Sequence, residues 1–198
     1  MAITNGYCTL AELKSVMRIN DNVDDTMLEA RITEASRVID QHCDRRFYHD
    51  HTATARLYVA PVADLVMVDD ISSTTGLVIK TDSAGDGTYA TTLTAAQYQL
   101  EPVNSLAKGS PVTMIRPINI AFLTTVAPAY LQVTAKWGWP SVPSPVTSAC
   151  ILLAGRLVKR GDSLLGVAGF GDLGAITVRA IDPDVERMLR PYRNPVVA

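Results

Sequence analysis

Residues Trp137–Asp162, WGWPSVPSPVTSACILLAGRLVKRGD, join the end of a strand to a helix, and the rest of the chain is read outward from them. Ser144 is placed to cap the helix, with Pro145 at the first helical position, where a missing N–H costs nothing. Lys159, Arg160 and Gly161 supply the favoured C-terminal cations and a left-handed stop. Between these ends Val146, Cys150, Leu153 and Leu157 share one face, while Ala149, Ile151, Leu152, Ala154 and Val158 leave little polar surface elsewhere. The pattern predicts an almost wholly apolar helix buried on most sides. One small domain seldom covers such a helix unaided, which points to packing against other subunits.

A chain of 198 residues, 47% of them hydrophobic, is long enough for one good-sized core or a core with an inserted subdomain. Its 18 Lys and Arg against 20 Asp and Glu give a net charge of −2, which argues against a free-standing DNA binder driven by phosphate contacts. DNA passing nearby stays compatible with that charge. Three widely separated cysteines, Cys8, Cys43 and Cys150, contain no C-x-x-C pair, so neither a disulfide framework nor a zinc ribbon is expected. The opening MAITNGYCTL lacks a basic region followed by an apolar core, and no apolar run approaches the roughly 20 residues that span a bilayer. The expectation is a soluble protein made inside the cell, with no membrane partner.

Upstream, Thr9 and Glu12 form a T-x-x-E capping box before a short helix with Leu10, Leu13, Val16 and Met17 as its apolar stripe, ending near Ile19. After NDNVDD, Leu28, Ile32, Ala35 and Ile39 recur at helical spacing to about Arg46. The opposite face carries Glu29, Arg31, Glu34, Arg37 and Asp40, a solvated or inter-subunit charge surface. From His51 the period changes. TARLYVA, DLVMVDDI, GLVIK, QYQLEP, PVTMIRP and YLQVTAKWGW are strand-length, bounded by turn residues, and predict an antiparallel sheet or small barrel with a hairpin tip at SAGDG. Beyond Gly161 a glycine-interrupted loop precedes a strand at 175–180. Asp182 and Pro183 then open a short helix with Val185, Met188 and Leu189 on one side, stopped at Pro191.

Gly169, Gly171 and Gly174 satisfy G-x-G-x-x-G, but a helix precedes them and an extended segment follows, the reverse of a dinucleotide loop. His42, Cys43, His49 and His51 lie close in sequence and are of zinc-ligand type, which motivates a small metal-dependent enzyme as the alternative function. Their spacing is poor for it, since adjacent helical residues point about 100 degrees apart. Helical burial would also raise and quiet the Cys43 thiol. Arg45, Arg46, Arg156, Lys159 and Arg160 would make a basic patch if the two long helices pack together. Trp137 and Trp139, bracketing Gly138, fit packing anchors better than a base-stacking platform. No serine or carboxylate setting for acid–base or nucleophilic work stands out.

Taken in order, YCTLAELKSVMRI, the charged helix ending IDQHCDRRFY, the strand-rich middle with YQLEPVN, KWGWP, LLAGRLVKRGD and DPDVERMLRPYR resemble the adaptor, or head-completion, family of tailed-phage head-to-tail connector proteins. The resemblance implies an α+β fold: a small helical bundle (two N-terminal helices, one long apolar helix, one short C-terminal helix) with an inserted antiparallel β subdomain. The divisions are 1–50, 51–139 and 140–198, the last holding a glycine-rich loop at 161–175 and a docking helix at 182–191. The function implied is structural, with no catalysis, cofactor or metal: a homo-oligomeric ring, taken as a dodecamer, assembled in the host cytoplasm and seated in the virion neck. Its implied partners are the portal, a stopper or tail-completion protein, and genomic DNA passing without sequence-specific binding. Val185, Met188, Leu189, Arg190 and Tyr192 become portal-docking candidates. Leu164, Leu165, Phe170 and Asp172 become channel or inter-subunit loop candidates, and Ile151, Leu152, Arg156 and Arg37 subunit-packing candidates.

Overall fold

The computed structural model describes residues 2–124, 129–162 and 182–194. Its described residues form two compact units, one drawn from 1–47 and 142–198, the other from 48–141.

The first unit holds the helices. Helix α1 (Leu10–Met17) starts at the capping box: Thr9 N–H donates to Glu12 Oε2 (2.7 Å), and Glu12 N–H donates to Thr9 Oγ1 (3.2 Å). It ends at Arg18 in the left-handed conformation. Helix α2 (Asp25–Cys43) buries Leu28, Ile32, Ala35, Ser36, Ile39 and Cys43, a stripe at spacings of three and four residues. Asp44 stops it, also left-handed. Helix α3 (Ser144–Asp162) packs on α2 and α1, and the short α4 (Pro183–Leu189) packs on α3.

The second unit is a six-stranded sheet with the order β1-β6-β2-β5-β4, all pairs antiparallel. The strands are β1 (Thr54–Tyr58), β2 (Val66–Thr81), β3 (Thr91–Thr92), β4 (Tyr98–Glu101), β5 (Val112–Pro117) and β6 (Leu131–Trp137), with β3 pairing off the main path onto β2. Along β6, Leu131, Val133, Ala135 and Trp137 are buried and the residues between them are not, which is the period of two that a one-sided sheet requires. DLVMVDDI and GLVIK, read as separate strands, are one strand. Register shifts between Met67 and Ile71, Ile71 and Ser73, and Ser73 and Val78 bend β2, so that its first part pairs with β5 and most of its length with β6.

The expected helical bundle with a subordinate β insertion is corrected. The fold is mixed α+β, four helices and six strands among the described residues, and the sheet is a substantial part with its own core around Val66, Ile71, Ile115, Val133 and Trp137. Among the described residues no long apolar helix is present. In α3 the buried positions Val146, Ala149, Cys150, Leu153, Ala154 and Val158 form one face, whereas Ser148, Leu152, Lys159 and Arg160 are exposed. The sequence reading overweighted Ile151 and Leu152 and underweighted Thr147, Ser148, Gly155 and Arg156, which together give the helix an ordinary outer side. No helix among the described residues is long and apolar enough to cross a membrane.

The strand-to-helix corner explains its tryptophans. Trp137 is fully buried, donates from Nε1 to Thr54 O (2.9 Å), and lies under the Arg56 guanidinium, 4.4 Å from the ring centre. Trp139 is buried and donates to Asp70 Oδ2 (3.1 Å). Between them Gly138 has φ of 109°, and a Cβ there would sit 1.9 Å from the carbonyl oxygen of Tyr48. Only glycine fits.

Candidate assembly surface

The described C-terminal segment is tied to the end of α2. Val185 and Leu189 are buried, and Asp182 caps α4 by accepting from Asp184 N–H (2.9 Å). Tyr192 meets Phe47 edge to face (5.9 Å), Phe47 meets Tyr7 likewise (5.7 Å), and Asn194 N–H donates to Cys43 O (2.8 Å). Glu186 bridges His42 Nε2 (3.1 Å) and Arg193 (3.6 Å). Of the docking candidates, Val185 and Leu189 therefore face the chain's own helical unit, Met188 and Tyr192 are half-buried, and Arg190 is exposed. Leu164, Leu165, Phe170 and Asp172 lie outside the described residues.

On the other side of α3, its outer face and the end of α1 enclose a groove of about 290 Å³. Val16 (61% exposed) and Leu152 (45%) supply apolar walls, with Met17 and Ile151 beside them. Gly155 leaves open space, since a Cβ built on it has no neighbour within 4 Å. Arg18 and Lys159 stand exposed at the rim, and Arg156 pairs with Asp182 (2.5 Å). Three of the subunit-packing candidates thus meet in one groove. The fourth, Arg37, is elsewhere on α2, pairing with Asp40 (3.0 Å) and donating to Asn5 O (2.9 Å).

His42 and Cys43 end α2 in the helical unit, His49 and His51 meet edge to face in the sheet unit (5.2 Å), and no group of three or more potential ligands among the described residues could hold a metal ion. Burial pushes the Cys43 thiol up to about 11, so it is a poor thiolate. Of the expected basic patch, Arg156 is paired as above and Arg45 Nη2 donates to Asn194 Oδ1 (3.3 Å).

Sequence reading missed two arrangements inside the helical unit. Cys8 donates to Cys150, Sγ to Sγ 3.5 Å, and Ser36 Oγ lies 3.4 Å from Cys150. The hydrogen bond to Cys150 and burial together hold the Cys8 thiol well above its ordinary range. Tyr7 Oη donates to Asp40 Oδ1 and accepts from Phe47 N–H (2.8 Å). Burial raises both partners, Tyr7 and Asp40. Neither contact has a local signal, because the partners lie 142 and 33 residues apart.

The described residues thus form a two-unit α+β chain whose helical unit carries an exposed, charge-rimmed groove. Its fold is that of particle-neck proteins. The neck of an empty gene transfer agent (GTA) particle solved with C6 symmetry contains a chain of TM-score 0.60 and 17% identity, covering 100% of this chain and 95% of that one. The neck of the native GTA particle with C12 symmetry gives 0.58 and 15%, covering 100% and 94%, and the native GTA virion gives 0.55 and 15%, covering 100% and 95%. No curated protein matches the chain in sequence. The model of the phage gp6-like head-tail connector proteins matches residues 7–98, and over that stretch the chain is similar to this family.

Proposed function

We propose that the protein is a structural adaptor of a phage-like particle, forming a ring on the portal that extends the DNA channel and carries the next neck or tail protein. The observation that carries this reading is the connector-family match over residues 7–98. The sixfold and twelvefold symmetry of the necks that hold chains of similar fold favours a closed ring, and the dodecamer is the version adopted. A ring needs heterologous contacts that close on themselves, and the groove beside Ile151, Leu152 and Arg156 offers one half of such a contact. Arg37 adds charge on a second face. The exposed side of the C-terminal segment, with Met188, Arg190 and Tyr192, docks on the portal, while Val185 and Leu189 anchor it. Leu164, Leu165, Phe170 and Asp172 line the channel or reach a neighbour. The ring assembles in the host cytoplasm, sits in the virion neck and passes DNA without gripping it, in keeping with the net charge of −2.

The test is native mass spectrometry of the full chain alone and with the particle's portal protein, followed by the same measurement on Arg190→Glu and Met188→Asp. A closed ring on the portal, retained by neither variant although both stay folded, is expected. No ring under either condition would overturn the adaptor reading, and unchanged portal binding by both variants would overturn the docking assignment. A single zinc retained per chain would return the histidine cluster to consideration.

A further inference from the structure

We propose that the ring contact is a knob in a groove: Val23 of one copy enters the groove between α1 and α3 of its neighbour. This rests on the ring reading above and names its interface.

The knob is unusually presented. Val23 is 86% exposed in the turn between α1 and α2, and its N–H donates to Asp21 Oδ1 (3.1 Å), so the turn is held by its own side chain. It precedes the cap residue Asp24, the position from which an apolar side chain commonly packs back onto the fourth helical residue of its own helix. That residue, Leu28, is fully buried without it. Val23 is therefore left facing outward, with Met27 partly exposed one turn further on. Asp21 and Asp24 flank it and are exposed, and the Asp24 side chain makes no capping bond to its helix.

The groove is the opposite in charge and the complement in shape. Its walls are the exposed Val16 and Leu152, its floor is open above Gly155, and its rim carries Arg18 and Lys159. An apolar tip flanked by carboxylates fits an apolar slot flanked by cations. The apolar part gives burial and the charges give register and orientation. Knob and groove are different surfaces, so the contact is heterologous and repeats around a ring rather than pairing two chains. A portal segment or a phosphate at the rim are the other occupants the test can reveal.

Two full-length variants are mixed, Val23→Cys and Leu152→Cys, one of them isotopically labelled, and joined with a short bis-maleimide; Cys8, Cys43 and Cys150 are buried and stay in place. The expected product links position 23 of one chain to position 152 of another, in the same sample whose native mass spectrum reports a ring. Gly155→Leu, which fills the groove and replaces a helical glycine with a better helix former, should melt no lower than the parent and weaken ring formation by at least about tenfold. A ring with 23–23 links, with no 23–152 link, or assembled normally by Gly155→Leu would overturn this contact and leave the adaptor reading standing. A Gly155→Leu ring that has lost only the portal would assign the groove to the portal, and loss of DNA retention alone would assign the rim to phosphate. Either result overturns the knob. Absence of any ring, with or without portal, would overturn both.

Discussion

Gly138 and Asp40 show how far single residues are fixed by what surrounds them. Gly138→Ala has no relaxed solution, because the new methyl would overlap the carbonyl of Tyr48 at 1.9 Å and the backbone is already at φ of 109°. The expected cost is about 3 kcal/mol or more, read as a fall in the urea midpoint of the sheet unit; an unchanged midpoint would show that the corner relaxes freely. Asp40 behaves differently. Burial raises its pKa above the ordinary 3.8, with Tyr7, Arg37 and Arg46 pulling the other way. A carboxyl whose folded pKa lies above its unfolded one binds its proton more tightly in the folded chain. Its stabilising effect is therefore fully present below the ordinary value and is lost as pH rises through the raised one. Compared with Asp40→Asn, the parent should be relatively most stable near about pH 3 and lose ground as pH climbs past 3.8, in paired denaturation series. A difference that stays flat or grows with pH would remove Asp40 from this role. The sequence made Gly138 legible as a corner, since it lies between two tryptophans and before a proline, but gave no hint of the Tyr48 carbonyl that makes glycine compulsory. Likewise, three scattered cysteines could not reveal that Cys8 and Cys150 meet, because only the packing of α3 against the N-terminal segment brings them together.

The caps that start α1 and α4 were legible, whereas strand continuity and the bounds of α3 were not, since α3 runs Ser144–Asp162 with the expected cap Ser144 and the expected stop Gly161 both inside it, and the difference is physical. A capping box is decided within four residues, and so Thr9 with Glu12, and Asp182 with Pro183, read correctly from sequence. Whether DLVMVDDI and GLVIK are one strand or two is decided by β5 and β6, whose registers β2 satisfies by shifting at Ile71 and Ser73. The apolar weight of α3 misled for a related reason: a buried stripe needs only one face, and its six buried positions already fill it. Element-level stability is then a question of docking. Helix α4 has seven residues, too few to persist alone, and it is held by Val185 and Leu189. Leu189→Ala should remove about 2–5 kcal/mol of that docking, enough to release α4 locally. In hydrogen exchange, amides of 183–189 should lose protection while those of β2 and β6 keep theirs. Retained protection in α4 would mean that the Tyr192, Glu186 and Asn194 contacts suffice without the leucine.

At the scale of the whole molecule the division into two units has a thermodynamic consequence. The sheet unit's hydrophobic cluster is drawn wholly from residues 60–137, within the unit of residues 48–141, and the helical unit buries its own set from α1, α2, α3 and α4. A unit with its own core and the size of an ordinary small domain is able to melt as a cooperative body of its own. Calorimetry of the free chain should therefore resolve two transitions. Val133→Ala, fully buried in β6, should lower only the one belonging to the sheet, by an amount matching the roughly 0.5–1.5 kcal/mol scale of a small aliphatic truncation or somewhat more. Ile32→Ala, fully buried in α2, should lower only the other, by about 2–5 kcal/mol. If both substitutions moved a single shared transition, the two cores would be acting as one, and a ligand or neighbour bound to either unit would then stabilise both. Independent transitions imply the converse: ring contacts made through the groove at α1 and α3 should raise the helical transition upon assembly and leave the sheet transition where it was, because a partner that binds one folded unit shifts only the unfolding equilibrium to which its binding is coupled.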